Sequence, residues 1–198
     1  NVSGGNGSGD SWSNAMTTLN FALGSADVNT SEIWVAAGTY KPGNNRTDSF
    51  NIAIDGLHVY GGFNGTESSI SERDILANPT ILSGDLNGDD AGHGSGTRGD
   101  NSYHVMQILN ADNAVIDGFK IMYGHANGSS TNAYGGAINI GGQTSNLIIK
   151  NCEFDENFGV NGGAIRSYLN NNTSMTFQNC VFNNNLSRYG SGLYFLVN

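Results

Sequence analysis

Asp85-Leu86-Asn87-Gly88-Asp89-Asp90 is the densest run of oxygen donors in the chain, and Asp100 lies ten residues beyond it. Oxygen atoms at alternate positions suit a hard divalent cation such as Ca²⁺, which takes carboxylates, amide carbonyls and water. Asp85, Asn87, Asp89 and Asp90 are therefore the candidate metal ligands; the competing reading is a solvated acidic loop. The other groups capable of chemistry are scattered. Inverting glycoside hydrolysis needs two carboxyls about 6.5–9.5 Å apart across the scissile bond, whereas Asp117, Glu153 and Asp155 occur singly, as carboxylates on solvated faces do. A lyase acting on uronates needs a cation to neutralise the substrate and a basic side chain to take its proton. Lys120, Lys150, Arg166 and Arg188 are the nearest bases; none has an Asp cluster beside it, and all read as outward-facing charges. Tyr123, Tyr134, Tyr168, Tyr189 and Tyr194 could stack on sugar rings or on one another along a wall. No catalytic set emerges.

The elements that must position these groups repeat. Asn151-Cys152-Glu153-Phe154-Asp155-Glu156-Asn157 returns as Asn179-Cys180-Val181-Phe182-Asn183-Asn184-Asn185, and Gly162-Gly163-Ala164-Ile165 returns as Gly190-Ser191-Gly192-Leu193, both 28 residues on. A fixed period of this size marks a solenoid whose units cannot bury their apolar face alone. Within each unit Leu147 and Ile149 alternate inward, the phase slips at Lys150-Asn151, and Cys152 and Phe154 face in again; Met175, Phe177, Cys180 and Phe182 copy them. One unit earlier, six extra residues between Ile121 and Ile138 predict a protruding loop among residues 125–133. Upstream, strands are expected at Ile33–Ala37, Phe50–Ile54, Leu57–Tyr60, Thr80–Gly84, Tyr103–Leu109 and Ala114–Ile116. Gly38–Pro42 and Gly61-Gly62-Phe63 read as turns, and residues 68–77 as a short helical turn or irregular excursion. Ser11 or Ser13 caps an expected helix with Trp12, Ala15, Met16, Leu19, Ala22 and Leu23 along one side, a lid for the open end of the stack.

Composition narrows the partners. A net charge of -9 with eight Lys and Arg argues against nucleic acid and anionic membrane, and no apolar run is long enough to insert into a bilayer. Gly and Asn each occur 29 times; both accept the left-handed corners a winding chain needs. Cys152 and Cys180 would stack about 4.8 Å apart in a parallel ladder, wider than the about 3.8 Å between disulfide Cβ atoms, so both are expected as buried thiols. Asn-x-Ser/Thr acceptors include Asn29, Asn45, Asn64, Asn127, Asn172 and Asn185, glycosylation candidates in a secreted protein. The start at Asn1-Val2-Ser3-Gly4 is expected of a mature or excised piece, and the end at Leu196-Val197-Asn198 falls in mid-unit, implying a longer protein or a second copy over that end.

Phe154-x-x-Asn157, Phe182-x-x-Asn185 and the Gly-Gly-Ala-Ile segments at Gly135 and Gly162 resemble the FxxN and GGA[ILV] repeats of the polymorphic outer-membrane protein repeat class. More broadly the chain resembles secreted bacterial right-handed parallel β-helix proteins of pectin-lyase-like shape, with Glu32–Tyr40 similar to their first coil. A leucine-rich repeat would account for Leu147, Ile149 and Cys152, but polar, Gly-rich segments follow where it needs a helical return. The expectation is an all-β, right-handed parallel β-helix with an N-terminal capping α-helix, one domain over 1–198: residues 1–30 the N-terminal segment and cap, 31–112 irregular coils with the acidic loop at 85–102, and 113–198 the regular repeats. Asp85–Asp90 opens like an EF-type loop and then departs from it, with Asp90 at the sixth position and Gly96 at the twelfth. Gly92-His93-Gly94 resembles the GHG of polygalacturonases but lacks the acid dyads and Arg-x-Lys segment of that family. The motifs speak for architecture and are nearly silent about chemistry. The lack of a catalytic set together with the simple repeats favours a non-catalytic secreted or cell-surface scaffold or adhesion protein, and the end in mid-unit suggests stacking end to end with its own copies into an extracellular fibre. The alternatives are a polysaccharide lyase or glycoside hydrolase, and a module that binds glycans without turnover.

Overall fold

The computed structural model describes residues 5–93, 96–169 and 174–197. Its strands, numbered along the chain, form four sheets in which every pairing is parallel. The first stacks β1 (Glu32–Ala36), β4 (His58–Phe63), β7 (Val115–Asp117), β11 (Leu147–Lys150) and β15 (Met175–Gln178). The second stacks β2 (Gly38–Tyr40), β5 (Thr80–Ser83), β8 (Phe119–Met122), β12 (Glu153–Asp155) and β16 (Val181–Asn183). The third holds β3 (Phe50–Ile52), β6 (Met106–Leu109), β10 (Ile138–Gly141), β14 (Ile165–Leu169) and β18 (Leu193–Val197); a shorter fourth holds β9 (His125–Ala126), β13 (Phe158–Asn161) and β17 (Leu186–Tyr189). The chain visits the sheets in rotation, so each circuit lays one layer on the last.

The 28-residue spacing is realised as register. Ile149 pairs with Phe177, Phe154 with Phe182 and Ile165 with Leu193, so equivalent side chains fall into columns. The Phe154 and Phe182 rings stack at 4.8 Å with an interplanar angle of 16°. Cys152 Sγ contacts the Ile116 carbonyl at 3.8 Å, and Cys180 Sγ that of Ile149 at 3.4 Å, the same position one layer on. Both thiols are free; Cys152 is buried, Cys180 only partly so. Burial pushes the Cys152 thiol up to about 12, leaving it almost wholly protonated at neutral pH and inert as a nucleophile.

The phase slip expected at Lys150-Asn151 is a left-handed corner. Gly118 (φ 86°), Asn151 (51°) and Asn179 (52°) occupy it in successive layers, where Asn and Gly tolerate what other L-residues avoid. Asn179 Nδ2 donates to Asn151 Oδ1 at 3.2 Å, tying one corner to the next. The Gly pairs turn the chain into the third sheet: at Gly162 and Gly190 φ is again positive, and a Cβ would meet the carbonyl of Ile165 or Leu193 at 2.4 Å. Between them runs a buried amide ladder. Asn157 Nδ2 donates to Asn185 Oδ1 (3.0 Å) and to the Ile121 carbonyl (2.9 Å), and Asn157 Oδ1 accepts from the Gly124 N–H at 3.0 Å. Each amide thereby satisfies backbone groups that the bend removes from the sheets.

Several upstream elements differ from the sequence reading. The N-terminal helix is shorter and starts later, as α1 (Leu19–Ser25). Trp12–Asn14 form a separate 3₁₀ turn, and the chain is extended at Ala15 before Thr18 caps α1 by accepting the Phe21 N–H on its hydroxyl. A β-branched hydroxyl residue is a better cap than a mid-helix residue, so Thr18 splits the predicted helix. Leu19 and Leu23 still bury against the first layer, packing on β3 and β1. Gly38–Tyr40 pair with Thr80–Leu82 as a strand instead of turning. Gly61-Gly62 lie inside β4, where the register to β1 shifts between Trp34 and Ala36, a bulge permitted by the positive φ of Gly62. His125-Ala126 form β9 in register with β13, and the six extra residues fall between Ala126 and Tyr134, where they emerge as an excursion with a 3₁₀ turn at Ser130–Ala133.

His104, 3% exposed, donates from Nδ1 to the Gly135 carbonyl at 3.0 Å, and burial holds its imidazole below the ordinary value of 6.5. The folded chain thus prefers neutral His104, and the unfolded chain binds more protons once the pH falls below 6.5. Stability measured by denaturant titration is expected to be level above that pH and to decline below it, with the decline reduced in His104→Asn; an unchanged slope in the variant would show that other groups set it.

Candidate functional site

The acidic loop leaves the second sheet after β5 and returns to the third at β6. Asp85, 5% exposed, organises its start: Oδ1 accepts the N–H groups of Gly88 (2.6 Å) and Asp89 (3.2 Å), and Oδ2 that of Asp90 (3.1 Å). Asp100 Oδ2 accepts the Asn87 N–H at 2.9 Å, closing the loop on itself. One carboxylate oxygen each from Asp85, Asp89 and Asp100 lies within 4.8 Å of the others. Ca²⁺ binds oxygens at about 2.3–2.6 Å, so a single ion could touch all three. The Asp89 carboxyl is raised above its ordinary range, first by desolvation and then by the like charges of Asp100, Asp85 and Asp90.

This set overlaps the expected one only in part. Asp85 and Asp89 belong to it; Asn87 is exposed and donates its backbone N–H to Asp100. Asp90 turns inward, accepting from Thr97 Oγ1 (2.7 Å) and Asn101 Nδ2 (2.6 Å), with Arg98 Nε at 3.7 Å. Asp100 is the third carboxylate of the cluster. Alternate spacing suggests a common face only if the run is uniform; the left-handed bend at Gly88 (φ 79°) breaks it.

The far end of the loop is pinned to the fourth sheet. His125, Phe158 and Leu186 stack on successive strands there, and with His93 and Arg98 they line a cleft of about 370 Å³. Arg98 Nη2 donates to the Glu156 carbonyl at 2.7 Å, His93 Nε2 lies 3.3 Å from Glu156 Oε2 and also meets the Asn184 carbonyl, and His125 Nδ1 donates to the Arg98 carbonyl at 2.8 Å. Burial, followed by the nearby Arg98 and Arg46 charges, lowers the His125 pKa. Arg46 knits the excursions together: Nε donates to the Asn101 carbonyl and Nη2 to Asn127 Oδ1, both at 2.7 Å, while its guanidinium lies 4.2 Å from the Tyr103 ring centroid.

The carboxylates read as isolated are not. Asp117 is fully buried, paired with Arg73, 3.5 Å from Lys150 Nζ and bonded to Asn151 Nδ2 at 2.8 Å. Lys120 Nζ sits between Glu153 Oε1 (3.1 Å) and Asp155 Oδ2 (2.9 Å), charges that meet because β8 and β12 are in register. Three of the tyrosines carry arginines on their rings: Arg98 lies over Tyr123, and Arg166 lies over Tyr134 and Tyr168. Apart from Arg166 with Tyr168, these pairs join residues far apart in sequence, and no local pattern encodes them. Among the glycosylation candidates, Asn29, Asn45, Asn64 and Asn127 are exposed. Asn185 is buried in the amide ladder, its Nδ2 donating to the Phe154 carbonyl at 2.8 Å, so the atom a glycan would take is already engaged. Asn172 lies outside the described residues.

Comparison with protein-family models, curated proteins and solved structures finds no match.

Two substitutions probe these groups. Asp117→Ala leaves Arg73 without its buried partner and is expected to cost about 3–5 kcal/mol of unfolding free energy, measured by urea titration. Asp89→Asn relieves like-charge repulsion and is expected to raise the melting temperature in chelator. Added Ca²⁺ should raise that of the wild type and leave the variant unmoved; an identical response of both to Ca²⁺ would remove Asp89 from any ion site.

Proposed function

We propose that the chain winds as a right-handed parallel β-helix and serves as a non-catalytic scaffold or adhesion protein, secreted or at a cell surface. The rotation through four parallel sheets supports the winding, and the likeness of its Phe-x-x-Asn and Gly-Gly-Ala-Ile segments to outer-membrane protein repeats supports the setting. The observation that carries the role is how the strand and loop carboxylates are spent. Asp117 is bound to Arg73 and Lys150, Glu153 and Asp155 hold Lys120, and Asp90 is buried beside Arg98 and Asn101. A general acid or base must reach a substrate proton; these groups instead hold layers and loops together. A Ca²⁺ ion on Asp85, Asp89 and Asp100 would likewise be structural, fastening the loop at its base.

The discriminating experiment is incubation with pectin, alginate and related polymers, with and without Ca²⁺, reading unsaturated and reducing ends. No release above buffer is expected. Release of unsaturated ends that is lost in Lys120→Ala or Arg98→Ala would replace the scaffold reading with a lyase.

A further inference from the structure

The outer face of the third sheet carries a row of polar side chains, one from each layer. Ile138, Ile140 and Ile165 belong to the core, so the residues beside them point outward. Register then aligns Gln107, Asn139, Arg166 and Tyr194 on β6, β10, β14 and β18. Arg166 is the unusual member. Arg46, Arg73 and Arg98 all give guanidinium N–H groups to backbone carbonyls, whereas that of Arg166 makes no hydrogen bond or ion pair among the described residues. It lies instead over two rings, 4.6 Å from the Tyr134 centroid and 5.3 Å from that of Tyr168. Such rings hold the guanidinium plane while leaving its N–H edge open. Arg166 Nε is buried without an acceptor, and the neighbouring Asn139, 5% exposed, has a buried Oδ1 without a donor. Buried polar atoms of folded proteins are ordinarily satisfied, so a donor and an acceptor left open on adjacent strands point to a group from outside.

We propose that this row binds an acidic saccharide, its carboxylate on the Arg166 fork and its hydroxyls on Asn139 and Gln107. A guanidinium held in one plane matches a planar carboxylate, which accepts two parallel N–H bonds. A hydroxyl both accepts and donates, so one hydroxyl satisfies Arg166 Nε and Asn139 Oδ1 together, as neither a carboxylate nor an ammonium does. The tyrosines offer apolar ring faces to the sugar. A peptide carboxylate is the poorer match, because β6, β10 and β14 are each paired on both sides and leave no main-chain edge for a peptide to bond. With a net charge of -9 the chain exerts no general attraction on anions, so selection rests on the fork. The inference names a ligand for the adhesion reading and rests on it.

The test is titration of the isotope-labelled chain with methyl glucuronide, methyl glucoside and a blocked glycyl-glutamyl-glycine peptide, read by NMR at Arg166 Nε–H and the Asn139 side-chain amide. Methyl glucuronide should shift both signals with a Kd of about 1 mM, the range open to a ligand of its size. Methyl glucoside, which lacks only the carboxylate, should bind about tenfold more weakly or worse, the loss of a charge-assisted hydrogen bond, and the peptide likewise. Arg166→Lys keeps the charge and loses the fork, and Asn139→Ala removes the amide; each should weaken glucuronide binding about tenfold. The comparison of ligands on the wild type decides if a variant does not fold. Equal binding of glucuronide and glucoside, peptide binding as tight as glucuronide, glucuronide binding unchanged in Arg166→Lys, or no shift of either signal would each overturn the proposal. Sugar release in the polymer assay would overturn the scaffold reading and leave this site standing; no binding and no release would remove the site and leave the scaffold.

Discussion

Registration between layers is the constraint on which the rest depends. A parallel stack places each inward side chain above its equivalent only if every corner turns through the same angle, and one residue of slip would send the apolar set to the opposite face. The corners are therefore specified more tightly than the strands. Asn151 and Asn179 hold the bend between the first and second sheets, Gly162 and Gly190 the bend into the third, and the Asn157–Asn185 ladder fixes the turn between them. The Phe154–Phe182 stack and the repeated cysteine contacts follow from those bends.

Registration also decides what charged groups can do. Because β8 lies under β12, Lys120 meets Glu153 and Asp155; because β7 lies under β11, Asp117 meets Lys150 and Asn151. Carboxylates that look solitary in a linear reading become neighbours one layer apart, and each pair offsets the desolvation of the other. Arg46, Arg73 and Arg98 extend the same economy to the loops, their guanidiniums over tyrosine rings while their N–H groups hold carbonyls.

Much of this architecture was legible in the sequence. The period of 28 located the columns, the Gly and Asn positions located the corners, and the six surplus residues after Ile121 located an excursion. What escaped was decided by competition or by distance. Thr18 competes for the helix start, which a face-by-face count of apolar residues does not weigh. Gly61-Gly62 carry the composition of a turn but sit opposite Trp34–Ala36 as a bulge. Asp90 is drawn inward by Thr97 and Asn101 while Asp100 lies beside Asp85 and Asp89, and the Arg73–Asp117 pair spans 44 residues. Local spacing carries no record of such a meeting.

The excursions at residues 43–49, 85–105 and 127–134 all leave the stack on the approach to the third sheet, one above another, and Arg46 bridges them. That flank can lengthen, shorten or change composition without altering a single column of the wall. The bend between the first and second sheets is lean where Lys150 passes to Asn151 and Gln178 to Asn179, yet two layers before Lys150 the same bend opens into residues 64–79 between β4 and β5, so it too can carry an excursion without disturbing the columns.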